Sequence, residues 1–130
     1  MIFTVYCHEN ILCTHKNTLE FTKDSELSKN GDCILGVRAD FDYFELKKIV
    51  KKYSKIQIKI SVEDISETIN CEINKDFDDK HEIVIRRSDF NSKRTLGVRA
   101  DKVAVDINRK IVEKLKKPGK KAQVEIIGLE

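Results

Sequence analysis

The chain has 130 residues, enough for one domain with a real core, and 40% of them are hydrophobic against 36% charged. That balance is globular, and a formal net charge of +3 permits nucleic-acid contact without arguing for it. No apolar run reaches the ~20 residues of a membrane span, and the first ten residues lack a basic leader with a cleavage site, so the chain is expected to be cytoplasmic with no membrane partner.

Taken in order, "IFTVYCHE" (2–9) alternates as a strand, and "NTLEFT" (17–22) puts Leu19 and Phe21 on one face. The turn signal "KNGD" (29–32), with Gly31 supplying a positive φ, leads into "DCILGVRAD". There Leu35, Val37 and Ala39 point one way, and Gly36, Arg38 and Asp40 the other. A helix follows: Leu46, Ile49, Val50 and Tyr53 share a face, Lys47, Lys48, Lys51 and Lys52 oppose it, and Asp42 with Glu45 makes a capping box. "KIQIKISVE" (55–63) is a strict period-two strand with Ile56, Ile58, Ile60 and Val62 inward.

"SETINCEI" (66–73), "HEIVIRR" (81–87) and "RTLGVRAD" (94–101) read as three more strands. A second helix is expected from near Asp106, with Ile107, Ile111, Val112 and Leu115 inward, until Pro118 and Gly119 stop it. "QVEIIGLE" (123–130) closes the chain as a strand.

The hexapeptide LGVRAD stands at 35–40 and again at 96–101. "KIVKKY" and "IQIKI" follow the first copy, "KIVEKL" and "AQVEI" the second, in the same order. The reading is a single domain, 1–130, made of two duplicated half-units of about 1–63 and 64–130, each carrying one helix. Many strands and two helices predict a mainly β, β-rich α+β fold, an antiparallel sandwich or a closed barrel.

Each hexapeptide contributes an Arg-x-Asp pair, Arg38 with Asp40 and Arg99 with Asp101. Two readings stand. In one, the pairs line a central cleft and hold an anion or a metal; in the other, they are ion pairs with an aspartate fastening a helix start. "CHENILCTHKN" (7–17) gathers His8, His15, Cys7, Cys13, Glu9 and Asn10. Those side chains can ligate a transition metal, yet the spacing matches no known metal motif, and loop histidines are the commoner outcome. Cys33 near His15 could act as a nucleophile, but nothing marks its thiol as ionised, and all four cysteines, Cys7, Cys13, Cys33 and Cys71, read as small hydrophobes. The lysine clusters read as solvated helix faces before they read as a phosphate-binding surface.

The ordered blocks "HENILCTHKNTLEFTKDSEL", "GDCILGVRAD", "VIRRSDF" and "RTLGVRADKVAVDINR" resemble the archaeal family catalogued as domain of unknown function 371, from about residue 6 to the C-terminus. The resemblance implies a small β-sandwich of jelly-roll type and no transferable activity beyond a nuclease-like role suggested for relatives. Its pattern includes histidines matching His8 and His15, a Gly-Asp matching Gly31 and Asp32, and an Ala-Asp matching Asp40 and Asp101. Members often carry histidines where this chain has "NKDFDDK" (74–80), which weakens a symmetric metal site.

Two functions follow. The first is a non-catalytic module that binds an anionic ligand, RNA or a phosphorylated metabolite, in a cleft between the half-units, through Arg38, Asp40, Arg99, Asp101, Asn10 and Asp32. The alternative is a metal-dependent hydrolase or nuclease in which His8, His15, Asp40 and Asp101 hold a divalent metal and a bound water attacks. Pairing of edge strands into a homo-oligomer stays open.

Overall fold

The alternation through 55–63 builds the strand it predicts. In the computed structural model, which describes residues 1–28 and 31–130, every second residue from Ile56 to Val62 is buried. The described elements are β1 (Ile2–Tyr6), β2 (Thr18–Thr22), β3 (Ile34–Gly36), α1 (Tyr43–Lys52), β4 (Lys55–Val62), β5 (Ile65–Ile73), β6 (Glu82–Arg86), β7 (Thr95–Val98), α2 (Arg109–Leu115) and β8 (Lys121–Leu129). A 3-10 turn, Ala104–Asp106, precedes α2. The turn expected at 29–32 falls partly on residues outside the described ones.

The fold is mainly β: the strands form one eight-stranded sheet in the order β1-β8-β4-β5-β7-β6-β2-β3. The expectation of a purely antiparallel sheet is corrected, because β2 pairs with β3, and β6 with β7, in parallel. The connections 23–33 and 87–94 are too long for a two-residue hairpin and return the chain in the same direction. A closed barrel is not formed either. The sheet curls until Phe3 of β1 and Phe21 of β2 meet edge to face, 5.8 Å between centroids. Its outer edges, however, meet only at the isolated bridge of Tyr6 with Val37 and the neighbouring Thr4–Asp40 contact, with no ladder among the described residues.

One core fills the curl, drawing on every strand, both helices and the segments that join them. Ile56, Ile58, Ile60, Phe21, Phe41 and Phe77 are all but inaccessible, each contributing ~1.5–3 kcal/mol of transfer free energy. Asp42 caps α1 as expected, its carboxylate accepting from the backbone N–H of Phe44 (2.8 Å) and Glu45 (3.1 Å). The helix buries Leu46 and Val50. The second helix starts later than expected. Asn108, not Asp106, is its cap, because the Asp106 carboxylate is already engaged by the N–H of Val103 and the guanidinium of Arg87.

Strand registers recur between the two halves of the sequence. On β1 and β8, Ile2 faces Glu125 and Thr4 faces Gln123; on β5 and β4, Thr68 faces Lys59 and Asn70 faces Gln57. The β2–β3 and β6–β7 pairs each slip register after one residue, between Glu20 and Phe21 and between Val84 and Ile85. Between β4 and β8, Lys59 faces Glu125 at the centre.

Candidate functional site

Both hexapeptides fold alike, and most of their residues have a packing reason. Leu35 and Leu96 are fully buried, as are Val37, Val98, Ala39 and Ala100 to within a few percent. The glycines let a neighbouring strand lie close. A Cβ on Gly36 would stand 2.4 Å from Val5 Cγ2, and one on Gly97 2.5 Å from Cys71 Sγ. The aspartates stitch across to a second strand. Asp40 donates its N–H to Thr4 O (3.1 Å) and accepts the Thr4 N–H on Oδ1 (2.7 Å). Asp101 does the same with Asn70, at 3.0 and 2.9 Å, and its Oδ2 also accepts from the Asn70 amide.

The arginines are different. Arg38 and Arg99 have φ of 52° and 51°, the left-handed region, where a side chain with a Cβ costs about 1 kcal/mol or more. Flanking bonds hold them there: Arg38 N–H donates to Asp24 O (2.8 Å), and Arg99 N–H to Ser88 O (2.9 Å). The strand therefore ends at this residue, and both arginine side chains are turned outward and exposed.

The two sites differ in what the guanidinium meets. Arg38 lies over the Tyr6 ring, 4.6 Å from its centroid. Arg99 lines a cavity of about 420 Å³ with Lys55, Asn70, Glu72, Asp101 and, on the apolar side, Ile56 and Leu129. Glu72 and Asp89 form ion pairs with it, each 3.5 Å from a guanidinium nitrogen and longer than a hydrogen bond. Among the described residues, neither the Arg99 guanidinium nor the Lys55 ammonium makes a hydrogen bond. A second cavity, of about 520 Å³, includes Thr4, Glu63, Lys121 and Ala122, with Glu63 tied to Lys114 and Lys120. Those two bonds, Lys114 first, hold the Glu63 carboxyl down at about 2.

The structure does not bring the two Arg-x-Asp pairs together. Asp40 is bonded to β1 and Asp101 to β5, strands separated by β8 and β4, roughly 14 Å of sheet at ~4.8 Å per strand. The histidines lie apart from both. His8 Nδ1 accepts the Asn10 N–H (3.0 Å), and its Nε2 is 3.9 Å from Glu26. His15 Nδ1 accepts the N–H groups of Asn17 and Thr18, both at 3.1 Å. An imidazole accepting on Nδ1 carries its proton on Nε2 when neutral, which leaves no lone pair for a metal. Asn10 donates its amide to Leu27 O (2.7 Å), and the Asp32 carbonyl accepts from Thr14 and His15. Among the described residues, no group of three His, Cys, Asp or Glu side chains could hold a metal ion.

The thiols are not activated. Burial pushes Cys13, Cys33 and Cys71 up to about 12, and it raises Cys7 as well. Such groups stay protonated at neutral pH.

Three features were not visible in the sequence. Lys55 and Asn70 reach Arg99 only through the pairing of β4 with β5 and of β5 with β7. Arg109 clamps the 12–13 segment, its guanidinium donating to Cys13 O (2.9 Å), Ala104 O and Ile107 O (both 3.0 Å). Glu20 is buried beside Glu82, Arg94 and Cys33. The spacing of these residues carries no signal for such contacts.

A family model described as "Domain of unknown function (DUF371)" matches residues 3–129. An uncharacterized protein of Methanocaldococcus jannaschii is 44% identical over 126 residues, covering 92% of this chain and 93% of the relative. No described helix is long and apolar enough to cross a membrane. With nearly its whole length matched, the chain belongs to the DUF371 family.

Proposed function

We propose that the chain is a non-catalytic binding module whose ligand is a phosphorylated small molecule held in the Arg99 cavity. One observation carries this reading. Arg99 is kept in a strained backbone conformation, and its guanidinium, ion-paired with Glu72 and Asp89 at 3.5 Å, shares a cavity with Lys55 while neither cation is hydrogen-bonded among the described residues. Strain at a residue that packing does not need points to a task for its side chain. A guanidinium with free donors suits a phosphate, which it can grip with two parallel bonds. The volume lies in the range of small-ligand sites, and Ile56 and Leu129 offer an apolar wall. Arg38 serves as the counterpart that was closed, its charge laid on Tyr6.

The same reading treats the chain as one domain of two fused, duplicated half-units, about 1–63 and 64–130. Support comes from the repeated registers, the twin register slips and the matched bonds of Arg38 and Arg99. Both half-units line the cavity, Lys55 and Ile56 from the first and Asn70, Glu72, Arg99, Asp101 and Leu129 from the second.

Calorimetry with inorganic pyrophosphate at low ionic strength tests the assignment on wild type, Arg99→Gly and Arg38→Gly. Glycine relieves the left-handed strain, so neither variant melts appreciably lower than wild type. Arg99→Gly loses pyrophosphate binding and Arg38→Gly keeps it. Binding that survives Arg99→Gly overturns the proposal.

A further inference from the structure

A second cationic surface lies elsewhere, on α1 and the loops beside it. In the sequence its lysines form an ordinary solvated helix face, but the fold adds cations from two distant segments. Lys47 of α1, Lys75 from the loop after β5 and Lys93 from the loop after β6 line a cavity of about 440 Å³ with Asp76, Asp78 and Ser92. Two of these ammoniums are positioned by backbone carbonyls. Lys47 Nζ donates to Phe77 O (2.7 Å), and Lys75 Nζ donates to Val50 O and Tyr53 O at the end of α1. Each keeps a further donor. The Lys93 ammonium has no hydrogen-bond or ion-pair partner among the described residues.

The cavity is joined to an aromatic pair, half-buried Tyr43 and exposed Phe44. The Tyr43 hydroxyl donates to Asp78, and the Tyr43 ring meets Phe44 edge-on, 5.2 Å between centroids. Phe44 is 69% exposed, the most accessible large hydrophobic residue described. Lys80 stands 5.4 Å from the Tyr43 centroid and 6.0 Å from that of Phe44. An uncovered ring costs free energy in water, and here it lies next to a cluster of cations. A ligand that carries a flat π face and a phosphate on one flexible backbone satisfies both, whereas a duplex keeps its bases stacked inside. The carboxylates at the rim have a use as well. Asp78 holds Tyr43 and Asp76 accepts from Asn91 (3.3 Å), yet each has lone pairs left for a ribose 2′-hydroxyl, which deoxyribose lacks.

We propose that this face binds single-stranded RNA, with a backbone phosphate in the Lys47–Lys75–Lys93 cavity and an unstacked base on Phe44. The inference stands on residues separate from the Arg99 cavity and survives or fails independently of it. Charge supplies the attraction and Phe44 supplies the preference for nucleobases over other polyanions.

Fluorescence anisotropy with a labelled oligouridylate tests it, using inorganic polyphosphate as competitor and circular dichroism to verify the fold of each variant. Wild type binds oligouridylate at low salt and releases it as salt rises. Phe44→Ala weakens this binding about tenfold, the loss of one stacked base, and leaves polyphosphate competition unchanged. Lys93→Ala weakens both and lowers the logarithmic salt slope by about 0.7. Absence of binding at low salt, a neutral Phe44→Ala, or equal affinity for oligodeoxythymidylate or duplex RNA overturns the proposal.

Discussion

Glu20 should make this protein less stable as the pH rises through neutrality, and Glu20→Gln should remove that dependence. The residue lies in β2, flanked by β6 and β3, and its side chain is 9% exposed. Burial is the main cause that raises its carboxyl from an ordinary 4.5 to about 7. Its hydrogen bond and charge repulsion with Glu82 add to this, while Cys33 at 3.4 Å and Arg94 at 3.4 Å act against it. A raised carboxyl binds its proton more tightly folded than unfolded. The associated stability is fully present below 4.5 and is lost as the pH rises through about 7. From 4.5 to about 7 the linkage amounts to about 3 kcal/mol, an upper figure that side-chain relaxation reduces. Urea unfolding at pH 5 and pH 8 measures it. Wild type loses on the order of 2–3 kcal/mol between the two from this residue, a midpoint shift of about 1–2 M for a small domain. Glu20→Gln lacks that loss and is the more stable protein at pH 8. Parallel stability curves for wild type and Glu20→Gln would refute the reasoning.

The hexapeptides make further predictions. Gly97→Ala and Gly36→Ala each drive a Cβ into a strand neighbour, Cys71 Sγ at 2.5 Å and Val5 Cγ2 at 2.4 Å, so each lowers stability by about 1–3 kcal/mol in thermal or urea unfolding. A neutral result at either position would show that the strands can separate at no cost. Asp101→Ala and Asp40→Ala free the N–H groups of Asn70 and Thr4, and each costs about 1 kcal/mol, with amide exchange quickening at the freed group. Unchanged exchange at Asn70 and Thr4 would deny the aspartates this fastening role.

Much of the fold was legible because its signals are local. The alternation of Ile56, Ile58, Ile60 and Val62 fixes β4, and the Asp42 cap with Leu46 and Val50 fixes α1. The repeated LGVRAD marked two places that indeed share a backbone path, with φ near 52° at both arginines. Strand direction was not legible, because the slipped parallel pairs of β2 with β3 and β6 with β7 are set by long connections that carry no pattern. Nor was the burial of Glu20, since an alternating strand marks it as a solvent-facing residue, and only coverage by both neighbours makes it a buried one. The site followed the same division. Arg99 and Asp101 stand where the motif put them, but Lys55 and Asn70 join them through pairings between residues far apart in sequence. The aspartates proved to be backbone fasteners, and the histidines spend their Nδ1 lone pairs on local turns.

The assignment of the Arg99 cavity is tested most directly by a backbone NMR titration with inorganic pyrophosphate at low ionic strength. The account predicts saturable shifts centred on Lys55, Asn70, Arg99 and Asp101, absent in Arg99→Gly. Shifts confined to the histidine loop at 8–15, or an unperturbed Arg99 at saturating ligand, would contradict it.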